Sequence, residues 1–241
     1  MNAVDDEKPR RADGAPWRNF YGRRHGKALR PRQRSLLETR LDALAPPGVD
    51  WAENPERAPI DLAALFPGAR DVWLEIGFGG GEHLIATAVA HPDVGIIGCE
   101  PFVNGVAMFL AALETAGAGN VRVHAGDARF LFDVLPDACL GRVYLLYPDP
   151  WPKNRHVDRR FVNAQNLAEI ARLLRPGGEF RLATDIPAYV AHSLKRVTES
   201  GAFERVDVDP ATPWEGWPGT RYEAKALREG RRPAYRRFIR R

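Results

Sequence analysis

"LEIGFGGGEH", residues 74 to 83, decides the fold. The run Val72-Trp73-Leu74-Glu75-Ile76 is apolar except for one acid and predicts a short buried strand. Gly77, Gly79 and Gly81 follow at alternate positions, and residues 82 to 90 then read as a helix. Glycine between a strand and a helix lets the backbone take left-handed dihedrals and come close to a ligand. A GxGxxG dinucleotide loop needs glycine at position 82, where this chain has Glu82. The loop therefore belongs to an α/β chain but is not a pyrophosphate cradle.

Outward from that loop the apolar runs alternate with helical patterns. Strands are expected at 72–76, 94–99, 121–123, 142–147, 179–183, 203–208 and 234–239. Helices are expected near 82–90, 101–116, 158–174 and 187–200. Such alternation predicts a Rossmann-like α/β fold, a mostly parallel seven-stranded sheet flanked by helices. Ligands in such sheets sit at the carboxyl ends of the strands. The α/β domain is expected over residues 71–241. Residues 17–70 read as a basic N-terminal arm with one helix near Arg32 to Leu44, closed by Pro46-Pro47-Gly48. Residues 1–16, rich in Pro, Asp and Arg, are expected to be a disordered tail.

Composition excludes several classes. With 241 residues and 44% hydrophobic content, the chain can bury one sizeable core. There is no run of 18 apolar residues and no apolar signal segment, so a cytoplasmic protein without a membrane partner is expected. Cys99 and Cys139 are the only cysteines, and the six histidines show no HxxxH or HExxH spacing, so no metal site is expected. The net charge of +4 hides an asymmetry. Eight Arg or Lys face one acid between Arg18 and Arg40, and nine face two between Arg221 and Arg241. Between Asp71 and Pro150 ten acids face three arginines. Basic ends around an acidic middle point to a polyanion held over a carboxylate-lined site.

Those carboxylates fall at strand ends. Glu100 closes the second strand, where an acid can accept hydrogen bonds from both hydroxyls of a ribose. Asp127 follows the third strand and can reach an adenine's exocyclic amine. The fourth strand opens onto "PDPWPKNRH", residues 148 to 156, followed by Arg159-Arg160. Two prolines keep that turn out of helix and present Asp149. GxGxG after an acid is similar to the loop of S-adenosylmethionine-dependent methyltransferases.

With "PDPWPKNRH", "ATD" at 183 to 185 and "TRYE" at 220 to 223, the chain resembles the tRNA (guanine-N7)-methyltransferases of the TrmB type. The resemblance runs from Asp71 to Glu223 and more loosely into "RRHGK" at 23 to 27. It implies a methyltransferase domain that binds S-adenosylmethionine through Glu75, Gly77, Gly79, Gly81, Glu100, Asp127 and Asp149. It also implies Asp149 as the catalytic residue, and Lys153, Asp185, Thr220, Arg221, Tyr222 and Glu223 around the substrate guanine, the one in the variable loop of tRNA, at position 46. Candidates for phosphate contact are Arg23, Arg24, Arg155, Arg159 and Arg160. No metal and no obligate protein partner are implied.

Structural alternatives stand beside these roles. Thr220 to Glu223 is also an S/T-x-x-E capping box. Asp127, Glu100 and Asp185 could simply start helices. Trp151 could be core, and Arg159 and Arg160 a solvated helix face. Other functions are an exocyclic-amine methyltransferase of the D/N-P-P-Y/W kind, from which Pro148-Asp149-Pro150 departs, and a non-catalytic RNA-binding module.

Overall fold

The computed structural model describes residues 14–206 and 209–241. Helix α1 spans Pro31–Leu44 and α2 Leu62–Leu65. Then come β1 (Asp71–Ile76), α3 (Glu82–Ala90), β2 (Val94–Cys99), α4 (Val103–Ala116), β3 (Val121–His124), α5 (Ala128–Phe132) and β4 (Leu140–Leu146). The second half holds α6 (Ala164–Leu173), β5 (Leu174–Thr184), α7 (Pro187–Ser200), β6 (Phe203–Arg205), α8 (Arg221–Arg228) and β7 (Ala234–Arg240).

The seven strands form one sheet in the order β3-β2-β1-β4-β5-β7-β6. The first five are parallel, and β7 runs antiparallel between β5 and β6. Every residue of β1 and β2 is buried, as expected for central strands covered on both faces. One apolar cluster, with Leu74, Ile97, Leu145 and Phe180, fills one face of the sheet, and another, with Trp73, Ile96, Phe109 and Tyr144, fills the other. From β1 the chain builds outward to β3, then returns to place β4 on the other side of β1. That reversal leaves a crevice at the carboxyl ends of β1 and β4.

The sheet matches the expected architecture, and the differences are local. The helix expected over 158–174 is instead a 3-10 turn, Asn154–Arg159, followed by α6 from Ala164. Asn163 sets that later start by accepting a hydrogen bond from the Asn166 amide at 2.9 Å. The sixth strand ends at Arg205, and the last two of its expected residues, 207 and 208, lie outside the described residues. So do residues 1–13 of the expected disordered tail, whereas Ala15 is buried.

The segment after the tail is tied down. The Arg18 guanidinium pairs with both oxygens of Asp133 at 2.8 and 2.7 Å. The Val103 amide donates to the Arg24 carbonyl at 2.9 Å, and Asn104 bridges Gly26 N and Lys27 O, each at 2.7 Å. The first basic segment thus crosses the start of α4 and the end of α5.

Candidate active site

A cavity of about 490 Å³ occupies the crevice. Gly77, Glu100 and Asp127 line its inner side, Tyr147 to Asp149 and Trp151 line its rim, and Asn19 to Arg23 form the wall opposite.

The glycine loop is shaped from below. Gly77, Gly79 and Gly81 all have left-handed φ, at 74°, 58° and 81°. A Cβ on Gly105 of α4 would sit 2.5 Å from the Gly79 carbonyl oxygen, so only glycine lets that helix pass under the loop. Glu75 points away from the cavity. Its carboxylate meets His83 Nδ1 at 2.7 Å, and the imidazole is wedged against Tyr144 and Trp217. Of the four residues expected at this loop, Gly77 lines the cavity, while Glu75, Gly79 and Gly81 build the floor that supports it.

Glu100 is 7% exposed and is held by backbone alone, Gly79 N donating at 2.6 Å and Phe102 N at 2.8 Å. Burial raises its pKa, the two amides oppose that shift, and the negative charges of Asp149 and Glu75 add to it. Asp127 behaves in the opposite way. Burial alone would raise it, but the Arg129 guanidinium, at 2.5 to 3.1 Å, outweighs burial and holds its carboxyl below the ordinary range. Asp127 also caps α5 through the Arg129 amide at 3.0 Å, so both readings of this acid hold in one residue.

Asp149 is presented on a strained turn. Tyr147 and Trp151 have φ of 49° and 41°, left-handed values that cost about 1–2 kcal/mol each in residues with a Cβ. Water reaches Asp149, yet the crowded mouth of the cavity desolvates its carboxyl enough to raise the pKa. Beside it, the Arg159 guanidinium lies over the rings of Tyr21, at 4.6 Å, and Trp151, at 5.1 Å. Lys153 and Arg155, on the same turn, are exposed.

Arg160 corrects the expectation of a phosphate contact. It is 6% exposed, and its guanidinium donates to backbone carbonyls of the turn. With so little of its surface exposed, Arg160 offers a phosphate little to contact while the turn holds it.

The C-terminal candidates divide. Tyr222 lines the cavity, 47% exposed, with its ring parallel to Tyr147 at 6.4 Å and against Gly79. Thr220 and Glu223 form the capping box of α8, the Thr220 hydroxyl accepting from the Glu223 amide at 3.1 Å. The Glu223 carboxylate also receives Trp217 Nε1 at 2.8 Å and the Tyr235 hydroxyl. Arg221 pairs with Glu82 at the start of α3, and Asp185 with Arg231, so neither faces the cavity. The Tyr147 hydroxyl is buried beside the Tyr235 hydroxyl, and burial raises its pKa.

Three comparisons bear on this arrangement. A family model described as "Putative methyltransferase" matches residues 69–235. The tRNA (guanine-N(7)-)-methyltransferase of Ruegeria sp. (strain TM1040) is 58% identical over 98% of this chain and 92% of its own. Its namesake in Brucella melitensis is 50% identical over 99% of this chain and 100% of its own.

The chain belongs to the tRNA (guanine-N(7)-)-methyltransferase family.

The fold reaches further than that family. The 16S rRNA methyltransferase KamB superposes with a TM-score of 0.53 at 17% identity, covering 75% of this chain and 93% of its own. The [4+2]-cyclase SpnF superposes with 0.51 at 15% identity, covering 79% and 82%. A cyclase on the same sheet means that architecture alone does not fix the reaction. Membership in the methyltransferase family rests on the sequence relatives.

Sequence reasoning named Arg23 but missed Asn19 to Gly22, which line the cavity with it. The aromatic residues interleaved with bases in "WRNFYGRR", 17 to 24, were the available signal. No helix among the described residues is long and apolar enough to cross a membrane, and no group of three metal-ligating side chains occurs among them.

Proposed function

We propose that the cavity binds S-adenosylmethionine and that the protein methylates the seventh nitrogen of a guanine in tRNA, the variable-loop guanine at position 46 that the resemblance implies. The observation that carries this reading is the convergence of Glu100, Asp127 and Asp149 on one cavity that Arg23 and Arg159 also line. The residues fit such a ligand. Glu100 offers carboxylate oxygens at the end of β2 for ribose hydroxyls, each oxygen met by one backbone amide and by no cation among the described residues. Asp127 sits one strand further out, where an adenine amine would lie.

Bound S-adenosylmethionine supplies a methyl group on positively charged sulfur, which the guanine lone pair takes, leaving a thioether. That lone pair lies in the ring plane and is unprotonated at neutral pH, so no general base is needed. The protein's part is alignment and exclusion of water, effects worth several kcal/mol. Asp149 accepts hydrogen bonds from the guanine and stabilises the positive charge that methylation creates. Tyr222 and Tyr147 offer a flat apolar side to a base drawn out of its stack. Arg23, Arg24, Lys153, Arg155 and Arg159 face the phosphates around it. No ion pair with a carboxylate holds any of these five among the described residues.

The test uses methyl-labelled S-adenosylmethionine and unmodified tRNA, followed by borohydride reduction and aniline cleavage. A single cut in the variable loop supports the proposal. Label without cleavage moves the chemistry to another atom, such as an exocyclic amine, and overturns it.

A further inference from the structure

Arg160 lines the cavity, yet its guanidinium is turned onto backbone carbonyls. Its Nε donates to Pro150 O at 3.0 Å, Nη2 to Trp151 O at 3.3 Å and Nη1 to Ala188 O at 3.4 Å. The guanidinium lies 5.5 Å from the ring centre of Tyr189, itself fully buried on α7. No carboxylate lies within ion-pair distance among the described residues. Burying a charge this way is costly, and among the described residues it is compensated by carbonyl oxygens and the Tyr189 ring, with no carboxylate. An apolar side chain there would strip three carbonyls of this donor, so the position calls for a forked donor.

The carbonyls it joins belong to two different strand ends. Pro150 and Trp151 follow Asp149 at the end of β4, and Ala188 lies in the first turn of α7, three residues after Asp185. The segment carrying Arg160 is itself fixed to α7. Val162 N meets the Tyr189 hydroxyl at 3.4 Å, and His192 Nε2 meets Val162 O at 2.7 Å. The strained turn with left-handed Tyr147 and Trp151 thus has one side-chain anchor that reaches across to α7.

We propose that Arg160 is a positioning residue, a clamp that fixes the Asp149 turn against α7 and so sets where the Asp149 carboxylate stands over the cavity. This rests on the proposed role of Asp149 in holding the guanine. A lysine cannot replace it, because one ammonium on a flexible stem lacks the fork of three nitrogens that reaches Pro150 O, Trp151 O and Ala188 O separately.

The experiment compares Arg160→Lys, Arg160→Ala, Arg159→Ala and Asp149→Asn in tRNA methylation with S-adenosylmethionine, alongside tRNA binding across a salt series. Arg160→Lys is expected to lower kcat about 10- to 100-fold, the scale of a misplacement near 1 Å. Its KM for tRNA and the salt slope of binding should match the wild type. Methylguanidinium should restore part of the kcat of Arg160→Ala. A salt slope reduced as in Arg159→Ala would make Arg160 a phosphate contact and overturn the clamp. An unchanged kcat would do the same, and so would a loss that follows the unfolded fraction and ignores methylguanidinium. If Asp149→Asn is fully active while Arg160→Lys is not, the reading of Asp149 falls. If Asp149→Asn is inactive and Arg160→Lys is not, the clamp alone falls.

Discussion

Glu100 and Asp185 are both nearly buried acids at strand ends, on opposite sides of the crevice, and they are held in opposite ways. Glu100 is met by two backbone amides and no cation, and burial raises its pKa. Asp185 is already met by Arg231. An acid held only by amides stays short of donors and is ready for a ligand's hydroxyls. An acid held by arginine is satisfied, and a ligand must displace its partner. On the β2 side of the crevice the carboxylate is therefore free of any cation among the described residues, as the proposed ligand site requires. The β5 side, with Asp185 on Arg231 and Glu223 on Trp217 and Tyr235, must either exchange partners or serve as scaffold.

The largest effect is expected from Asp149, which no side chain in the described residues satisfies. Asp149→Asn should lower single-turnover methylation about 100-fold or more while the circular dichroism spectrum stays unchanged. Near-normal turnover would remove Asp149 from the chemistry. Glu100→Gln sharpens the comparison further, because it should separate binding from stability. Loss of charge-assisted hydrogen bonds should weaken S-adenosylmethionine binding about 10- to 100-fold by calorimetry. Without ligand, the same variant should melt higher at neutral pH. The sign follows from linkage: a folded-state pKa above the unfolded one means the folded state binds more protons in that window. Stability is then lost as pH rises through the raised pKa. The gain from Glu100→Gln should vanish when the pH falls below the ordinary carboxylate range. A variant that melts lower at pH 7 would show that Glu100 is a structural acid.

The two sides also differ in how readable they were. Gly77, Glu100 and Asp127 follow from local order, because a strand, its turn and the residue after it are contiguous in sequence. The sheet was legible for the same reason, since runs such as Val94 to Cys99 carry their own burial pattern. Arg159 and Arg160 were not separable in that way. They are neighbours of one residue type, and only the packing of α7 turns one inward to carbonyls and leaves the other on Tyr21 and Trp151. The wall formed by Asn19 to Arg23 depends on Arg18 finding Asp133, a pairing 115 residues apart. Thr220 to Glu223 was legible as two things at once, and the geometry contains the capping box.

Arg159 tests the outward-facing member of its pair. Its guanidinium lies on aromatic faces rather than on a carboxylate, so a phosphate can draw it away at modest cost. Arg159→Ala should weaken tRNA binding several-fold and reduce the slope of log Kd against log salt by roughly 0.7 to 0.9, the loss of one phosphate contact. An unchanged slope would leave Arg159 on the rings of Tyr21 and Trp151 and give the phosphates to Lys153 and Arg155.

The smallest effect is expected at Thr220, where the scaffold reading of the β5 side can be broken most cleanly. Its hydroxyl accepts from the Glu223 amide, and the Glu223 carboxylate returns to Thr220 N at 3.3 Å. Together they start the helix that sets Tyr222 over the cavity. If capping is the whole role, Thr220→Ala costs about 1 kcal/mol, roughly 2–4 °C in Tm for a chain of this size. Thr220→Ser, which keeps the accepting oxygen, should restore most of it, and kcat/KM should follow the Tm across the three proteins. A Thr220→Ser enzyme with wild-type Tm and reduced kcat/KM would show the methyl group or the hydroxyl's orientation touching substrate. The C-terminal side would then be a binding surface in its own right, with its ion pairs exchanged when the tRNA arrives.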